Sequence, residues 1–423
     1  MNISKVLKEE LKLIEIDKNA LIDLKKETNF IVDILKEEIS KKGVNADVYI
    51  GGSFAKGTLV KKKQVDIDIF VRFDWRIDDI SNVLEKIVKS IGRKIKCEVK
   101  ILHGSRDYFR IEKGNILFEI IPVCKIRKPK EARNVTDLSY FHVNYVKKKL
   151  KNNLTKEVLL AKKFCHAQGV YGAESYIQGF SGYGLECLII NYKSFLKMIK
   201  ELSKVEDRLI IDPEKNYKNK NDILFSLNES KLQSPVILVD PTWKERNVLA
   251  ALSRESFKKF QEKVKEFLKR PSRSFFEIRD DIDKLKRLAE GKDREFVHLE
   301  IETDRQEGDI AGTKMKKFAK FLENELRKYF NILNREFLYS EGKKSDFYLV
   351  AKKKNKIVII GPPVKMKNHA KVFRQRHKKV FEKSGRLYSE IKVDFSAKEF
   401  LEGFGKENKI KIWEMGIVGM KIQ

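Results

Sequence analysis

The stretch VDIDIFVRF, residues 65–73, places two carboxylates inside an otherwise apolar, β-branched run. Successive side chains of a β-strand point to opposite faces, so Asp66 and Asp68 project together while the isoleucines between them project the other way. Two carboxylates this close raise each other's pKa unless a cation lies between them. A hard cation such as Mg²⁺ prefers oxygen ligands, and a pair of such ions suits phosphoryl transfer. The alternative is an exposed strand edge whose aspartates only solubilise it.

A further carboxylate lies in a second apolar run, NILFEIIPV, residues 115–123. The run is almost uniformly apolar, which predicts a buried strand, and a lone buried carboxylate is costly unless something pairs with it. Glu119 is therefore the candidate for a third metal ligand. The competing explanation is an ordinary ion pair, for which Arg110 and Lys113 are the available partners.

The segment before the first strand carries features of a phosphate site. Gly52 and Ser53 are predicted to begin a short helix, where backbone N–H groups and a hydroxyl can face an anion, and Lys56 follows one turn later. The alternative is a serine that only caps the helix. A Gly-Ser pair, then two aspartates, then a buried acid about 50 residues on, is a much more specific combination than any one of its parts.

The chain of 423 residues is too long for one ordinary core, and the order of its patterns predicts an α+β protein of several domains. Residues 1–135 form a head with a mixed sheet and helices, residues 136–275 a mainly helical neck, and residues 276–423 an α/β body and tail. Helices are predicted at residues 81–95, 314–330 and 365–388, and strands at residues 65–73, 94–102, 108–112, 115–123, 296–302, 346–353 and 356–361.

Charge and cysteine content limit the classes of partner. Lysine and arginine number 90 against 61 aspartates and glutamates, a formal charge of +29, which favours a polyanion as partner over a merely lysine-rich surface. The four cysteines form no CxxC pair, so a structural zinc site is not expected and the chain is predicted to be reduced and intracellular. No apolar run is long enough to span a bilayer, and we expect a cytoplasmic protein without membrane contact.

The stretch at residues 365–388 is rich in basic residues and is predicted to be an amphipathic helix with a cationic face. Such a face suits an RNA backbone, recognised by shape and phosphates rather than by sequence. The aromatic residues within the stretch are expected to be core residues rather than stacking platforms. The candidate RNA-binding residues are Lys371, Arg374, Arg376, Lys378 and Lys379.

The segment GGSFAKGTLVKKKQVDIDIF, residues 51–70, resembles the signature of the nucleotidyltransferase superfamily that includes DNA polymerase β and poly(A) polymerases. Later segments narrow the resemblance to the archaeal, class I CCA-adding enzymes, tRNA nucleotidyltransferases. This family implies template-independent addition of CCA to the tRNA 3′ end from CTP and ATP with Mg²⁺, and a head, neck, body and tail. The later segments are VYGAESYIQGFSGYGLECLI (170–189), VDPTWKERNVLAALS (239–253), RPSRSFF (270–276) and, more loosely, GPPVKMKNHAKVFRQRHKKVF (361–381).

The resemblance also implies roles for individual residues. The acids already singled out match the metal-binding carboxylates, and Arg246 matches an arginine that hydrogen-bonds the base. The alternatives are a solvated helix face for Lys162, a core aromatic for Tyr171 and a helix-start salt bridge for Arg246. The matched positions are Asp66, Asp68 and Glu119 for the metal, Ser53, Lys56, Lys162 and Tyr171 for the triphosphate region, Ser139 and His142 near the sugar or phosphates, and Arg246 for the base.

Glu119 departs from the family pattern, in which the third acid is more usually aspartate. The extra methylene moves the carboxylate about 1.5 Å farther from the strand, and our hypothesis is that the rate falls or that metal preference broadens toward Mn²⁺. Three alternatives to full CCA addition stay open at this stage. They are a poly(A)-polymerase-like transferase, an enzyme that adds only C or only A, and a catalytically silent tRNA-binding homologue. A homodimer also stays open.

Overall fold

The computed structural model describes residues 2–104, 106–151, 153–278 and 282–423. The chain divides into two compact units, Met1–Ile278 and Arg279–Gln423. The predicted head and neck therefore belong to one unit, while the boundaries at residues 135 and 275 stay a prediction. In the part of the chain that the structure describes, no helix is both long enough and apolar enough to cross a membrane.

The first unit combines a five-stranded sheet with a larger helical region. Its helices are α1 (Ile3–Ile14), α2 (Lys18–Lys41), α3 (Gly52–Lys56), α4 (Ile80–Ile95), α5 (Ser139–Lys149), α6 (Leu154–Ala167), α7 (Gly182–Tyr192), α8 (Phe195–Leu202), α9 (Lys220–Ser226) and α10 (Arg254–Lys269). Its strands are β1 (Ala46–Ile50), β2 (Val65–Phe73), β3 (Val99–Leu102), β4 (Tyr108–Lys113), β5 (Ile116–Cys124), β6 (Leu209–Ile211) and β7 (Val236–Leu238).

The five-stranded sheet has the order β1-β2-β5-β4-β3, with β2 and β5 parallel and the other pairs antiparallel. One face of β2 carries Ile67 and Ile69, which are fully buried in a core shared with α2 and α4. Helix α4 presents Leu84, Ile87 and Ile91 to that core, a spacing of three and four residues that keeps them on one side. The aspartates of β2 consequently lie on the sheet face that is turned away from this core.

The helical region packs around a cluster of phenylalanine rings. The ring of Phe164 on α6 lies 5.7 Å from that of Phe195 on α8 and 6.1 Å from that of Phe260 on α10, measured between centroids. All three side chains are fully buried. Because Phe164 is fixed from several sides, the neighbouring residues of α6 are held in place as well, including the candidate Lys162.

The second unit contains a four-stranded sheet of order β14-β8-β10-β9 and a three-stranded sheet of order β11-β13-β12. Buried residues of α12 and α14 form one core with strands of the larger sheet. Its helices are α11 (Ile282–Ala289), α12 (Asp309–Leu326), α13 (Lys367–Arg376), α14 (Ala397–Glu407) and α15 (Lys409–Glu414), and its strands are β8 (Arg294–Glu302), β9 (Phe330–Tyr339), β10 (Lys344–Lys353), β11 (Lys356–Pro363), β12 (Val380–Lys383), β13 (Arg386–Lys392) and β14 (Gly419–Ile422).

Three sequence predictions of secondary structure are wrong in part. The helix predicted at residues 314–330 runs from Asp309 to Leu326, and β9 begins at Phe330. The strand predicted at residues 94–102 begins only at Val99, because α4 continues to Ile95. The helix predicted at residues 365–388 ends at Arg376, and the rest of the stretch forms the hairpin of β12 and β13. Ser384 and Gly385 both have positive φ, as a two-residue hairpin turn of this kind requires. The Ser-Gly pair was the sequence signal for that turn.

Candidate active site

The parallel register of β2 and β5 brings the three candidate carboxylates to one face of the sheet. Asp68 lies directly beside Glu119, and Asp66 lies beside Leu117, two residues earlier on β5. On the other side of β5, Arg110 lies beside Glu119 in the antiparallel register with β4. Residues at alternate positions of paired strands share a face, so Asp66, Asp68 and Glu119 all lie on the same face of the sheet.

Two of these carboxylates already have a cationic neighbour. Asp66 accepts a hydrogen bond from Lys62 at 2.6 Å, and Glu119 accepts one from Arg110 at 2.6 Å. The ion pair that competed with metal binding in the sequence interpretation of Glu119 is therefore present, and it involves Arg110. The two carboxylates are turned toward different cations.

The pKa values nevertheless indicate an excess of negative charge. Burial raises the pKa of the Asp68 carboxyl, and the charge of Asp66 raises it further against the opposing charges of Lys56 and Lys162. Burial also raises the pKa of Glu119, with a contribution from Asp68, although Arg110 acts in the opposite direction. Proton affinity is raised where a carboxylate lacks compensating positive charge, so this face of the sheet favours an added cation.

The oxygen-only donor set fits a hard cation such as Mg²⁺, which is bound by carboxylates and water. Within residues 2–104, 106–151, 153–278 and 282–423, however, no three His, Cys, Asp or Glu side chains are arranged to hold a metal ion as they stand. Asp66 and Glu119 are hydrogen-bonded to Lys62 and Arg110 instead. Ion binding would exchange these contacts for metal ligation.

Gly52 lies against Asp68 so closely that no other residue fits. Its φ is +55°, and a Cβ atom added there would lie 1.6 Å from Oδ2 of Asp68. The N-cap of α3 is Gly51 and makes no side-chain cap hydrogen bond, so the reading of Ser53 as a simple capping serine is wrong. The start of α3, with Ser53 in its first turn, is thus held beside the carboxylate face.

Lys56 and Lys162 converge on one buried carboxylate that the sequence interpretation did not include. Glu186 on α7 accepts hydrogen bonds from Lys56 at 2.6 Å and from Lys162 at 2.9 Å. Lys162 is only 5% exposed, so the solvated-face alternative for it is wrong. Thr58, also buried, donates to the same carboxylate at 2.7 Å. The cations thus come from both the head and the neck.

The first turns of α7 organise this region. Ser181 caps the helix by accepting a hydrogen bond from the backbone of Gly184. A Cβ atom on Gly182 would lie 2.9 Å from the hydroxyl oxygen of Tyr171 and 3.8 Å from Cε of Lys162. Because Gly182 has no side chain, the GFSGYG segment leaves room for the Tyr171 hydroxyl beside Lys162. Burial raises the pKa of the Tyr171 phenol to about 12, so its hydroxyl stays protonated and able to donate.

A second buried carboxylate, Asp240, gathers the remaining candidates of the neck. Arg246 donates to it at 2.7 Å, a ring nitrogen of His142 lies 3.2 Å from it, and the hydroxyl of Tyr183 donates at 3.1 Å. Thr242 donates through both its backbone N–H and its hydroxyl at 2.8 Å. Arg246 lies in a turn rather than at a helix start, so its salt bridge serves to orient it within the loop.

The electrostatics of this second cluster are opposite to those of the sheet face. Although burial alone would raise the pKa of Asp240, its hydrogen bond and charge interaction with His142, together with Arg246, hold it far below the ordinary value. Burial lowers the pKa of His142, and nearby Arg246 and Lys56 add to that effect against the pull of Asp240. His142 stacks on Tyr183 with ring centroids 4.0 Å apart, and it is neutral near pH 7.

Ser139 begins α5, directly after another buried carboxylate that the sequence interpretation missed. Asp137 accepts backbone hydrogen bonds from Cys124 at 2.7 Å and Asn134 at 2.9 Å, and it pairs with Arg106. These contacts tie the start of α5 to the end of β5. Ser139 and, one turn later, His142 are consequently fixed relative to the sheet that carries the acids.

The structure thus gathers the candidates of the first unit into two linked clusters. The metal and triphosphate candidates surround the sheet face and Glu186, while His142 and Arg246 surround Asp240. Glu186 and Asp240 could have been found from sequence, because each is a lone acid in an apolar run, the same signal that identified Glu119. The RNA-binding candidates lie in the second unit. Of these, Lys371, Arg374 and Arg376 are on α13, and Lys378 and Lys379 precede β12.

Comparisons with known proteins agree with this architecture. Residues 32–133 match a family model described as a nucleotidyltransferase domain, and residues 156–277 match one described as tRNA nucleotidyltransferase, second domain. A solved cytoplasmic RNA terminal U-transferase aligns with a TM-score of 0.51 at 15% identity, over 66% of this chain and 99% of its own. A poly(U) polymerase, Cid1, aligns with a TM-score of 0.50 at 15% identity, over 65% of this chain and 98% of its own. These likenesses show a shared fold.

The fold and the first-unit match define the chain as a nucleotidyltransferase. A CCA-adding enzyme of Nanoarchaeum equitans is 32% identical over 92% of this chain and 93% of its own length. One of Methanocaldococcus jannaschii is 29% identical over 94% of this chain and 89% of its own. The chain belongs to the archaeal CCA-adding enzyme family.

Proposed function

We propose that this chain adds CCA to the 3′ end of tRNA, using CTP and ATP and no nucleic-acid template. The observation that carries the proposal is the pairing of Asp68 with Glu119 on a sheet face that lies against the cations Lys56 and Lys162. An anionic surface suited to metal and a cationic surface suited to phosphates are the two halves that nucleotidyl transfer needs. The names of the relatives supply the particular reaction.

In the proposed reaction the 3′ oxygen of the RNA forms a bond to the α-phosphorus of the nucleotide. The bond from that phosphorus to the bridging oxygen breaks, pyrophosphate leaves, and the hydroxyl proton passes to solvent or a nearby base. Asp66, Asp68 and Glu119 would hold Mg²⁺, which when bound supplies the positive charge that stabilises the reacting and leaving oxygens. Metal-dependent activity, abolished by EDTA and restored by Mg²⁺, is the expected result.

The nucleotide would be held by residues of both the head and the neck. Ser53, Lys56, Lys162 and Tyr171 face the region where a triphosphate would lie, and Ser139 starts the helix beside them. Arg246 is the proposed contact to the base, because its rigid guanidinium can hydrogen-bond the edge of either cytosine or adenine. His142, neutral and stacked on an aromatic ring, would line the same pocket near the sugar.

The second unit would bind the acceptor arm of tRNA. Side chains of α13 such as Lys371 and Arg374 line a shallow surface depression. On β11 and β12, Ile360 is 63% exposed and Phe381 is 44% exposed, so the expectation that the aromatics of this stretch are core residues is wrong for Phe381. Tyr388 lies between them in register and stacks on Phe381 with centroids 5.6 Å apart. The basic helix α13 and the stacked, partly exposed rings of Phe381 and Tyr388 are the two features of this unit that suit an RNA surface.

The RNA proposal predicts two separable effects. Replacing Lys371 with Ala removes a phosphate contact, so the slope of log affinity against log salt should decrease by roughly one. Replacing Phe381 with Ala should weaken tRNA binding at every salt concentration and leave that slope unchanged. Filter binding across a salt series measures both, and identical slopes in all variants would contradict the assignment of α13.

Sedimentation under the same conditions tests the homodimer, and cell fractionation tests the cytoplasmic location.

The decisive experiment uses a tRNA transcript that ends at the discriminator base. It is incubated with Mg²⁺ and CTP, ATP or both, and the 3′ ends are sequenced. Growth to CCA and no farther is the expected result. Termination after C or CC with both nucleotides present identifies a partial enzyme, continued A addition identifies a poly(A)-like enzyme, and no growth identifies a silent homologue.

A further inference from the structure

We propose that Glu186 is a positioning residue that holds Lys56 and Lys162 together as one triphosphate-binding element built across the head and the neck. The inference rests on the proposed function, since it assigns a role within the same pocket. Glu186 itself is fully buried, and its carboxylate is hydrogen-bonded to Lys56, Lys162 and Thr58. Its effect on the reaction would therefore be exerted entirely through the two lysines.

The hydrogen bonds around Glu186 fix both ammonium groups. One carboxylate oxygen accepts from Lys56, and the other accepts from Lys162 and from the hydroxyl of Thr58. Lys162 also donates to the hydroxyl and carbonyl oxygens of Thr58, at 2.9 and 3.2 Å. Glu186, Lys162 and Thr58 form a closed triangle of hydrogen bonds, and Lys56 is joined to it through the second oxygen of the same carboxylate. Long lysine side chains lose much rotamer freedom in such an arrangement, which is a cost already met before a ligand arrives.

The charges leave this element with one positive charge in excess. Two lysines and one glutamate sum to +1, and the glutamate remains ionised, because Lys162 and Lys56 outweigh the effect of burial and lower its pKa to about 2. Without Glu186 two ammonium groups would repel each other in a buried site. The carboxylate between them offsets that repulsion and holds the two groups close together.

The surplus charge faces the side of the pocket where phosphates are expected. Lys56 lies at the end of α3, and the first residue of that helix, Gly52, packs directly against the Asp68 carboxylate. Tyr171 lies beside Lys162 because Gly182 leaves room for both. A polyanion between the metal-binding face and this element would meet positive charge from both directions. The chemistry that fits is a linear triphosphate, recognised without regard to its base.

The competing explanation is that Glu186 only fastens α7 to the segment after α3. The two explanations differ in what they predict for ligand binding. Both explanations allow the variant to lose stability, but only a positioning residue weakens the binding of a polyphosphate more than the binding of a ligand with a single phosphate. Inorganic triphosphate and CMP separate these effects, because one carries only the phosphates and the other only the nucleoside and a single phosphate.

The test compares Glu186→Gln with Glu10→Gln in the full chain. Glu10 on α1 is also buried, has Arg273 3.7 Å away, and lies outside the pocket, so it is a matched control for loss of a buried carboxylate. Calorimetry measures binding of inorganic triphosphate and of CMP, each with Mg²⁺ and without RNA. Steady-state assays with tRNA add the KM for CTP and kcat.

For Glu186→Gln we expect triphosphate affinity to fall and the KM for CTP to rise by about ten-fold, since charge-assisted hydrogen bonds are lost. CMP affinity and the KM for tRNA should stay within two-fold of wild type, as should every constant of Glu10→Gln. Equal losses of triphosphate and CMP binding, or none, would overturn the proposal. If Glu186→Gln does not fold, Glu186→Asp keeps the charge but shortens the reach to the lysines, and it must bind triphosphate more weakly than wild type while binding CMP normally. A wild-type chain that binds triphosphate but adds no nucleotides contradicts the proposed function instead.

Discussion

The first unit contains two sets of carboxylates, one partly buried on the sheet face and one fully buried, and they behave in opposite ways. On the sheet face, Asp68 and Glu119 have raised pKa values, because burial and mutual repulsion outweigh the attraction of the neighbouring lysine and arginine charges. In the neck, Glu186 and Asp240 have lowered pKa values, because several donors converge on each. The carboxylates on the sheet face therefore lack compensating positive charge, whereas Glu186 and Asp240 are surrounded by hydrogen-bond donors.

This difference separates ligand-binding acids from acids that orient other side chains. A carboxylate with raised proton affinity gains from an added cation, which is the condition for metal binding. A carboxylate already surrounded by donors has no free capacity, and it serves to fix the groups that surround it. Removing an acid of the first kind should therefore harm activity and spare stability, whereas removing one of the second kind should harm both.

The largest expected effect is that of Asp68→Asn. The variant should lose at least about a thousand-fold in rate, because metal ligation at the reacting phosphate supplies several kcal/mol. Its melting temperature should be equal to or higher than that of wild type, since an ionised buried group is removed. Single-turnover CCA addition and thermal unfolding check the two parts. Asp33→Asn, at an exposed position on α2, serves as the control and should be silent in both assays.

The next effect is that of Asp240→Asn, where activity and stability should change together. Breaking a buried ion pair that orients Arg246 and His142 should lower the free energy of unfolding by about 3 kcal/mol. Loss of a fixed guanidinium should also reduce the preference for CTP over UTP by about ten-fold. Thr242→Val removes one donor to the same carboxylate and leaves Arg246 in place, so its misincorporation should stay at the wild-type level. Equal misincorporation in both variants would argue against a base-selecting role for Arg246.

Added Mg²⁺ should stabilise the wild-type chain in a pH-dependent way. The folded-state pKa values of Asp68 and Glu119 are raised, so the folded chain binds protons more tightly than the unfolded one. The metal-free protein therefore loses stability as the pH rises from the unfolded-state pKa of these carboxyl groups to their higher folded-state pKa. Mg²⁺ needs the ionised carboxylates, and the increase in melting temperature that it causes should be larger at pH 8 than at pH 5. Millimolar Mg²⁺ should add about 2 kcal/mol at the higher pH, and Asp68→Asn should show no such increase.

The smallest effect concerns Glu119→Asp, which restores the more usual acid of the family. Shortening the side chain weakens the reach to Arg110 and moves the carboxylate toward the strand. We expect a change in the Mg²⁺-supported rate of less than about ten-fold and a lower ratio of Mn²⁺- to Mg²⁺-supported rates. An unchanged rate in Mg²⁺ and an unchanged ratio would show that the longer acid carries no penalty. Glu112→Asp, at an exposed residue of β4, is the matched substitution outside the site.

Sequence alone predicted those parts of the fold and site that depend on local pattern. The run at residues 65–73 alternates apolar and acidic positions, and its strand has the predicted ends. The parallel register that sets Asp68 beside Glu119 depends on the connection between β2 and β5, which no local pattern specifies. The burial of Lys162 was likewise not predictable, because its helix carries lysines on several sides and only tertiary contacts distinguish them.

Other failures have identifiable causes. Residues 365–388 contain basic side chains at helical spacing throughout, and this periodicity outweighed the Ser-Gly turn signal at Ser384. Glu186 and Asp240 gave the same signal as Glu119, a lone acid in an apolar run, but they lie in regions assigned to a helical core. A lone acid on an amphipathic helix is most often solvated, so the apolar neighbours of Glu186 did not by themselves distinguish a buried carboxylate from an exposed one.

The contacts of Glu186 bear on how such enzymes can be divided and recombined. The residues that match a nucleotidyltransferase domain, 32–133, include Lys56 and Thr58 but not Glu186, which lies 130 positions after Lys56 and accepts a hydrogen bond from each of them. A gene fragment that encodes only those residues would leave a lysine and a threonine without their common acceptor. Transplanting this domain onto a different helical partner therefore requires a glutamate at the matching place on the incoming helix, and its presence is a practical criterion for choosing chimaera junctions.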